Sequence, residues 1–489
     1  MSSYLILTLT ALVIFLGTFS VYRLYLHPNS KFPGPKLWAI SRVPMAYNLA
    51  RGRLPYRIAE LHDKYGPVVR VAPNDLSFIT AEAWNDIYGK PVGRPQLAKD
   101  PVAFLRNPND YADLLFEPDP TEHGRMRRNF SHAFSEKSLR DQEPIIGSNI
   151  EKMVTRIREV CKDPIDITAW LNYVTFDIIG DLTFGDNFQC LDSGNLHPWV
   201  SNLFTWVATI GVLGMFQSVL PVAHLLLRMA PKSMRDSEKY HRAMTKERLD
   251  KRLANPNPRP DFMSAVQRFV DRPYGLTYME VFQTCSIFMV GGSETTATTL
   301  TGMVYYILRT PRVYNLLVEE LRSTFKDSSE INMANSGKLN YTIAVVNEGM
   351  RILHPLPGNL RRVTPPEGWV VAGWKVPGNT LVAVDSYAAY HSRSNFHNPK
   401  EFVPERWMSD PPAPYKNDKL KVLQPFSVGP RNCIGKNLAL MEMRLILAKI
   451  FFNFDVEIMP ESVGYVEGLK VYTFIKRPPF MIKMTPVAV

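Results

Sequence analysis

The spacing of apolar positions changes along this 489-residue chain, and each change predicts a different element. Tyr4 to Tyr22, YLILTLTALVIFLGTFSVY, carries no charge. A bilayer core takes roughly 20 apolar residues as a helix, so this run predicts one transmembrane anchor. Arg23, Lys31 and Lys36 follow it and no basic side chain precedes it, which by the positive-inside tendency leaves the remainder in the cytosol. Pro28, Pro33 and Pro35 then predict a rigid, non-helical stalk. From Pro55 to Ile87, short runs such as VVRVAP and LSFIT alternate with turn residues and predict a small sheet. From His123 onward the spacing is helical. Val363 to Val384 returns to strand-like runs, and Lys436 to Phe452 predicts a last helix. The expected fold is mainly α with minor β. It is organised as an anchor at 1–25, a proline-rich hinge at 26–36 and one catalytic domain at 37–489. A second apolar stretch, Trp206 to Met229, is broken by Gly211, Gly214 and Pro221. It predicts either a buried helix pair or a surface that dips into the bilayer.

Composition adds limits. With 45% hydrophobic and 21% charged residues the chain is globular. A net charge of +11 favours acidic proteins or anionic lipid. No nucleic-acid motif of known spacing is present, so nucleic acid is not an expected partner. Cys161, Cys190, Cys285 and Cys433 are far apart and form no CxxC, which argues against a disulfide framework and for a reducing compartment.

Three stretches carry chemistry. Thr277 and Glu280 have capping-box spacing and open a helical pattern that runs to Thr310, ahead of Pro311. Its middle, GGSETTATT, puts two glycines and a carboxylate between apolar runs. Each glycine costs about 1 kcal/mol inside a helix, so a purpose is expected. The glycines would admit a flat group. Thr295 would face that group or open the helix ladder to water, and Glu294 would relay protons. Next, Glu348 and Arg351 in NEGMR share one helix face within apolar flanks. A buried pair needs further partners, and Arg406 of PERW is the candidate. Last, PFSVGPRNCIG surrounds Cys433 with glycine, proline and one arginine. No neighbouring His or Cys completes a zinc site, and no base is evident to make the thiol a nucleophile. A porphyrin iron takes a single proximal protein ligand, and a thiolate suits it. Gly429 and Gly435 would turn backbone N–H groups to the sulfur, Phe426 would shield it, and the following helix would aim its positive end at it.

Together these stretches resemble the cytochrome P-450 superfamily. Phe426, Gly429, Arg431, Cys433 and Gly435 match its F-x-x-G-x-R-x-C-x-G loop. Gly292, Glu294 and Thr295 match its oxygen-activation helix, with Gly291 where alanine is commoner. Glu348 and Arg351 match its E-x-x-R, PERW its P-E-R-F, and FPGP its proline hinge. The resemblance implies the cytochrome P-450 fold. It implies haem b (iron protoporphyrin IX) with Cys433 as axial ligand and Gly292 beside it. It implies a monooxygenase that inserts one atom of O2 into a hydrophobic small molecule, with Thr295 and Glu294 handling protons. His123, standing where tryptophan is commoner, with Arg127, Arg431 and Arg362 would hold the propionates; Arg361 is adjacent and easily confused with Arg362. Electrons would come from NADPH-cytochrome P-450 reductase, with cytochrome b5 as a further partner, steered by Lys436, Arg444, Arg125 and Arg128. The pocket would be lined by Val102 to Leu115, Phe288, Met289, Leu356 to Asn359, Tyr472 and Thr473. The anchor implies the endoplasmic reticulum membrane. The style of HGRMRRNFSHAFS and GGSETTATTL resembles filamentous-fungal members that oxidise polyketides, terpenoids and alkaloid-like scaffolds. Two alternatives stay open: a haem-thiolate isomerase or dehydratase needing no O2 or reductase, and a non-catalytic haem carrier or sensor.

Overall fold

The computed structural model describes residues 2–90, 93–101, 113–197, 199, 232–255, 259–358 and 360–487. Trp206 to Met229, Asn359 and most of the expected pocket loop from Val102 lie outside these residues. Helix α1 (Ser2–Val21) opens the chain. The run Tyr4–Leu26 has a mean hydropathy of 2.2 over its most apolar window, none of which is buried. By length and composition it is the one candidate membrane span among the described residues.

The stalk does not stand clear of the body. Asn29 is 0% exposed, and its side-chain amide donates to Asn74 Oδ1 at 3.1 Å. Phe32 joins the core of the small sheet. Arg70, only 2% exposed, donates from Nη1 to the Arg23 carbonyl at 2.8 Å and from Nη2 to the Pro73 carbonyl at 2.8 Å. Gly34 has to be glycine, because a Cβ there would lie 2.4 Å from the Arg70 carbonyl oxygen. Pro28–Lys31 forms a 3-10 turn, so the expectation of no helix is corrected: proline in a first turn loses no hydrogen bond.

The body is built by α2 (Val43–Ala50), α3 (Leu54–Tyr65), α4 (Ala81–Tyr88), α5 (Pro120–Ser131), α6 (Glu136–Val160), α7 (Ile167–Phe184), α8 (Lys232–Ala254), α9 (Tyr278–Arg309), α10 (Pro311–Thr324), α11 (Asn340–Ile352) and α12 (Lys436–Asn453). Between Pro55 and Ile87, helices α3 and α4 flank the strands, so less of that stretch is sheet than its short runs predict. The strands are β1 (Val68–Ala72), β2 (Asp75–Phe78), β3 (Ala98–Lys99), β4 (Ile165–Asp166), β5 (Arg362–Val363), β6 (Trp369–Val371), β7 (Trp374–Val376), β8 (Leu381–Val384), β9 (Phe454–Ile458), β10 (Lys470–Val471), β11 (Ile475–Lys476) and β12 (Met481–Pro486). The largest sheet has the order β1-β2-β8-β5-β3. β2 and β8 run parallel, joining segments about 300 residues apart in sequence. β3 pairs with β5 so that Lys99 lies opposite Arg362.

The fold is mainly helical with minor sheet, and its two cores meet at the site. One core surrounds the small sheet. The larger is crossed by α9, whose 32 residues span roughly 48 Å at 1.5 Å per residue. The capping box is formed as expected: Glu280 N donates to Thr277 Oγ1 at 3.2 Å and Thr277 N to the Glu280 carboxylate at 2.8 Å. α9 packs along α7, and also meets α11 and α12. Cys161, Cys190 and Cys285 are free and buried in this core.

Candidate active site

The cysteine loop precedes α12 and is held by its own turns. Cys433 N donates to the Phe426 carbonyl at 2.9 Å, and Asn432 N to the Gly429 carbonyl at 3.1 Å. Gly429 has φ +78°, and a Cβ there would lie 2.2 Å from the Tyr88 carbonyl oxygen. Its glycine therefore serves both the turn and the close approach of α4. Phe426 is partly buried against the larger core, and Gly435 caps α12. Cys433 is accessible on the loop. Burial pushes the thiol up, while the Gly435 N–H and the Arg127 guanidinium pull it back.

On α9, Gly291 is exposed. A Cβ on Gly291 would meet nothing within 4 Å. Thr295 Oγ1 donates to the Gly291 carbonyl at 2.6 Å, so the hydroxyl sits on the open face. The other two expected residues are turned elsewhere. Gly292 abuts α7, where a Cβ would lie 2.5 Å from Ile179 Cδ1. Glu294 points into the core and forms an ion pair with Arg477 at 2.5 Å, accepting also from Thr298 at 3.4 Å. Arg477 in turn donates to Asn172 Oδ1 at 3.0 Å. The structure thus joins Gly291 and Thr295 on one face and does not bring Gly292 or Glu294 to it.

Near the cysteine loop, cations crowd together. Arg362 and Lys99 face each other across β5 and β3, where like charges directly opposite are destabilising. Burial, then Arg431 and Arg362, lower Lys99 to about 7. Burial, then Arg431, Lys99 and Arg127, lower His123 to about 3. Burial and Arg362 lower Arg431 to about 10. Arg431 is partly used, donating to the Glu117 and Pro118 carbonyls at 2.6 and 2.8 Å. Arg362 Nη1 is buried with no hydrogen-bond acceptor among the described residues. An unsatisfied buried guanidinium N–H is costly, and a buried cluster of this sign fits an anionic group. An accessible thiol, an open helix face and this cluster are the donor set a haem with two propionates requires. Arg361 is separated from Arg362 by its partners, Asp100 at 3.0 Å and Asp75 at 3.3 Å. Arg127 lies near the cluster but donates to the Asn432 carbonyl at 2.7 Å and to Asn432 Oδ1 at 2.6 Å.

The Cytochrome P450 family description matches residues 33–483. The chain belongs to the cytochrome P450 family. Among its relatives is "Cytochrome P450 monooxygenase astA" of Talaromyces wortmannii, 42% identical over 96% of this chain and 94% of that protein. "Cytochrome P450 monooxygenase astD" of Aspergillus oryzae is 38% identical over 98% and 93%, and "Averantin hydroxylase" of Dothistroma septosporum 38% over 97% and 90%. Membership implies haem b with a cysteine thiolate ligand and an oxidoreductase activity.

Behind the cysteine loop of this cytochrome P450, Glu348, Arg351 and Arg406 are all 0% exposed. Arg351 donates to both Glu348 oxygens at 2.8 and 2.7 Å, and Arg406 Nε reaches Glu348 at 3.1 Å. Burial alone would raise the Glu348 carboxyl, but the two arginines outweigh it and hold it below its ordinary value. Sequence reasoning missed two members. Asp418 pairs with Arg406, and Trp407 Nε1 donates to Glu348 at 2.9 Å. It also missed Lys99, which no motif marks.

The expected pocket lining needs correction. Phe288 packs its ring against Phe130, Phe134 and Phe262, and Met289 is fully buried. Ile287, one position earlier, is half-buried and shares the Gly291 face at i and i+4. On the partner side, Lys436 and Arg128 are exposed. Arg125 is not available for steering, because Glu122 and Glu280 hold it, and Arg444 is half-buried.

Proposed function

We propose that this cytochrome P450 is a membrane-anchored haem-thiolate monooxygenase that oxidises a hydrophobic small molecule in fungal secondary metabolism, of polyketide, terpenoid or alkaloid type. When bound, haem b on Cys433 supplies O2 activation, one oxygen atom passing to a substrate C–H bond and the other leaving as water. The carrying observation is Thr295, whose hydroxyl stands on the open face of α9 beside Gly291. That face is where a proton has to be held for oxygen chemistry, and an isomerase or a haem carrier has no use for it. Glu294 acts through position: its ion pair with Arg477 ties α9 to the carboxyl-terminal strands. Arg362, Arg431, Lys99 and His123 orient the group by its propionates, and Gly435 offers its N–H to the sulfur. Phe426 excludes water from one side of that sulfur.

The relatives' names, two monooxygenases and one hydroxylase, support this reading. NADPH-cytochrome P-450 reductase supplies the electrons, with cytochrome b5 as a second donor. The exposed Lys436 and Arg128 favour acidic partners of this kind. Residues 1–25 hold the protein in the endoplasmic reticulum membrane, 26–36 form the joint, and 37–489 carry the chemistry. The test is expression with a reductase in a host supplied with candidate polyketide, terpenoid and alkaloid precursors, followed by mass analysis. A product heavier by one oxygen atom is expected. In a Thr295→Ala variant, oxygen uptake continues while product falls about tenfold or more and peroxide rises. Unchanged product formation by Thr295→Ala would refute the monooxygenase and favour the isomerase.

A further inference from the structure

The chain enters the cysteine loop through Gln424 and Pro425, and one buried imidazole holds it there. His354 follows the end of α11 and is only 7% exposed. Its Nδ1 accepts from Leu356 N at 3.0 Å. Its Nε2 lies 3.1 Å from the Pro425 carbonyl oxygen. A backbone N–H only donates and a carbonyl only accepts, so one form alone satisfies both contacts: a neutral ring with its proton on Nε2. Burial lowers this histidine to about 4, which keeps the ring neutral at neutral pH. The neighbouring contact leads to the same place. Gln424 N donates to the Tyr390 hydroxyl oxygen at 3.1 Å, and the Tyr390 ring lies against His354 with centroids 5.6 Å apart. The Tyr390 carbonyl in turn accepts from Arg351 at 2.9 Å. Beyond Pro425, Phe426 presents the carbonyl that accepts from Cys433 N at 2.9 Å. A short path thus runs from the buried Glu348–Arg351 pair through Tyr390 and His354 to the backbone beside the sulfur.

We infer that His354 is a positioning residue: its Nε2–H fixes the Pro425 carbonyl and, through the next residue, the turn that presents Cys433. The inference rests on the haem-thiolate reading of the site. The Leu356 contact is local and holds the proton on Nε2. The Pro425 contact joins residues 71 positions apart and does the positioning. Without it the Pro425 carbonyl loses this donor, and the loop no longer presents the sulfur in one fixed direction.

The test uses the full chain loaded with haem and two readouts. One is haem per protein. The other is the ratio, after reduction and carbon-monoxide treatment, of molecules lacking the thiolate-type band to those showing it. His354→Asn keeps an acceptor at the Nδ1 position for Leu356 N and does not reach Pro425. His354→Gln carries an amide N–H out to the Nε2 position. His354→Phe fills the space and offers neither. His354→Asn and His354→Phe each raise the ratio about tenfold, the scale of one buried carbonyl left unsatisfied. His354→Gln stays within about twofold of the parent, and haem per protein is unchanged in all three. Tyr390→Phe, which removes only the acceptor for Gln424 N, moves the ratio in the same direction. The inference is overturned if His354→Asn keeps the parent ratio. It is overturned too if His354→Gln falls as far as His354→Phe, since the ring would then serve by its shape alone. Should no His354 variant fold, a parent ratio in Tyr390→Phe overturns it. If the parent itself shows no thiolate-type band, the haem-thiolate reading fails instead.

Discussion

At the scale of residues, neighbours in the chain have opposite fates. Arg361 is neutralised by Asp75 and Asp100, while Arg362 points into the cation cluster. Nothing in NLRRV separates them, because the partners come from β2 and from the segment after β3. Gly429 shows a sharper requirement. Its left-handed φ and its contact with Tyr88 exclude any side chain. Gly429→Ala is expected to destabilise the protein by at least about 2 kcal/mol, read as a lower thermal midpoint together with loss of haem. A normal midpoint with normal haem content would show that the loop does not need this turn. Cys433 itself was legible from the sequence. It is a thiol without a zinc set or a base, surrounded by turn residues, and the structure leaves it accessible.

At the scale of elements, α9 was legible almost to the residue. Thr277 and Glu280 start it and Pro311 ends it, both by local backbone chemistry. Which way its side chains face was less legible. Apolar flanks on both sides hid the phase of the open stripe, so Phe288 stood in for Ile287 and Gly292 for Gly291. The α11 ion pair was predictable from i, i+3 spacing, but its closure by Asp418 and Trp407 depends on a loop about 70 residues later. Removing one partner of a buried pair costs about 3–5 kcal/mol. Glu348→Gln is therefore expected to lower the unfolding free energy by that order, measured by denaturant titration of the haem-loaded protein. A loss below about 1 kcal/mol would place the triad with weak surface pairs.

At the scale of the whole molecule, the joint between α1 and the body is tight, because Arg70 and Asn29 bury the chain that follows the apolar run. Removal of residues 1–25 is expected to release the protein from membranes under alkaline carbonate while leaving its carbon-monoxide spectrum intact. Retention in the pellet would remove the anchor assignment. Stability should also fall in acid. Burial lowers His62 and His241 from 6.5 to about 4, so in the folded protein both stay neutral where the unfolded chain binds protons. Their contribution is complete above pH 6.5 and is lost as pH falls towards about 4. The thermal midpoint should decline across that window, and a flat profile would show that these rings titrate normally.

The sequence alone determined the apolar amino-terminal run, the limits of α9, the thiol loop, the Glu348–Arg351 pair and the family they resemble. Each is written in local spacing, where backbone propensity and short-range contacts act. Only the tertiary structure decided that Lys99 stands opposite Arg362, that Gly291 and not Gly292 shares the open face with Thr295, and that Arg127 grips Asn432. Those outcomes depend on strand register, helix phase and packing between distant segments. A side chain's charge and size do not encode which neighbour the fold will bring to it.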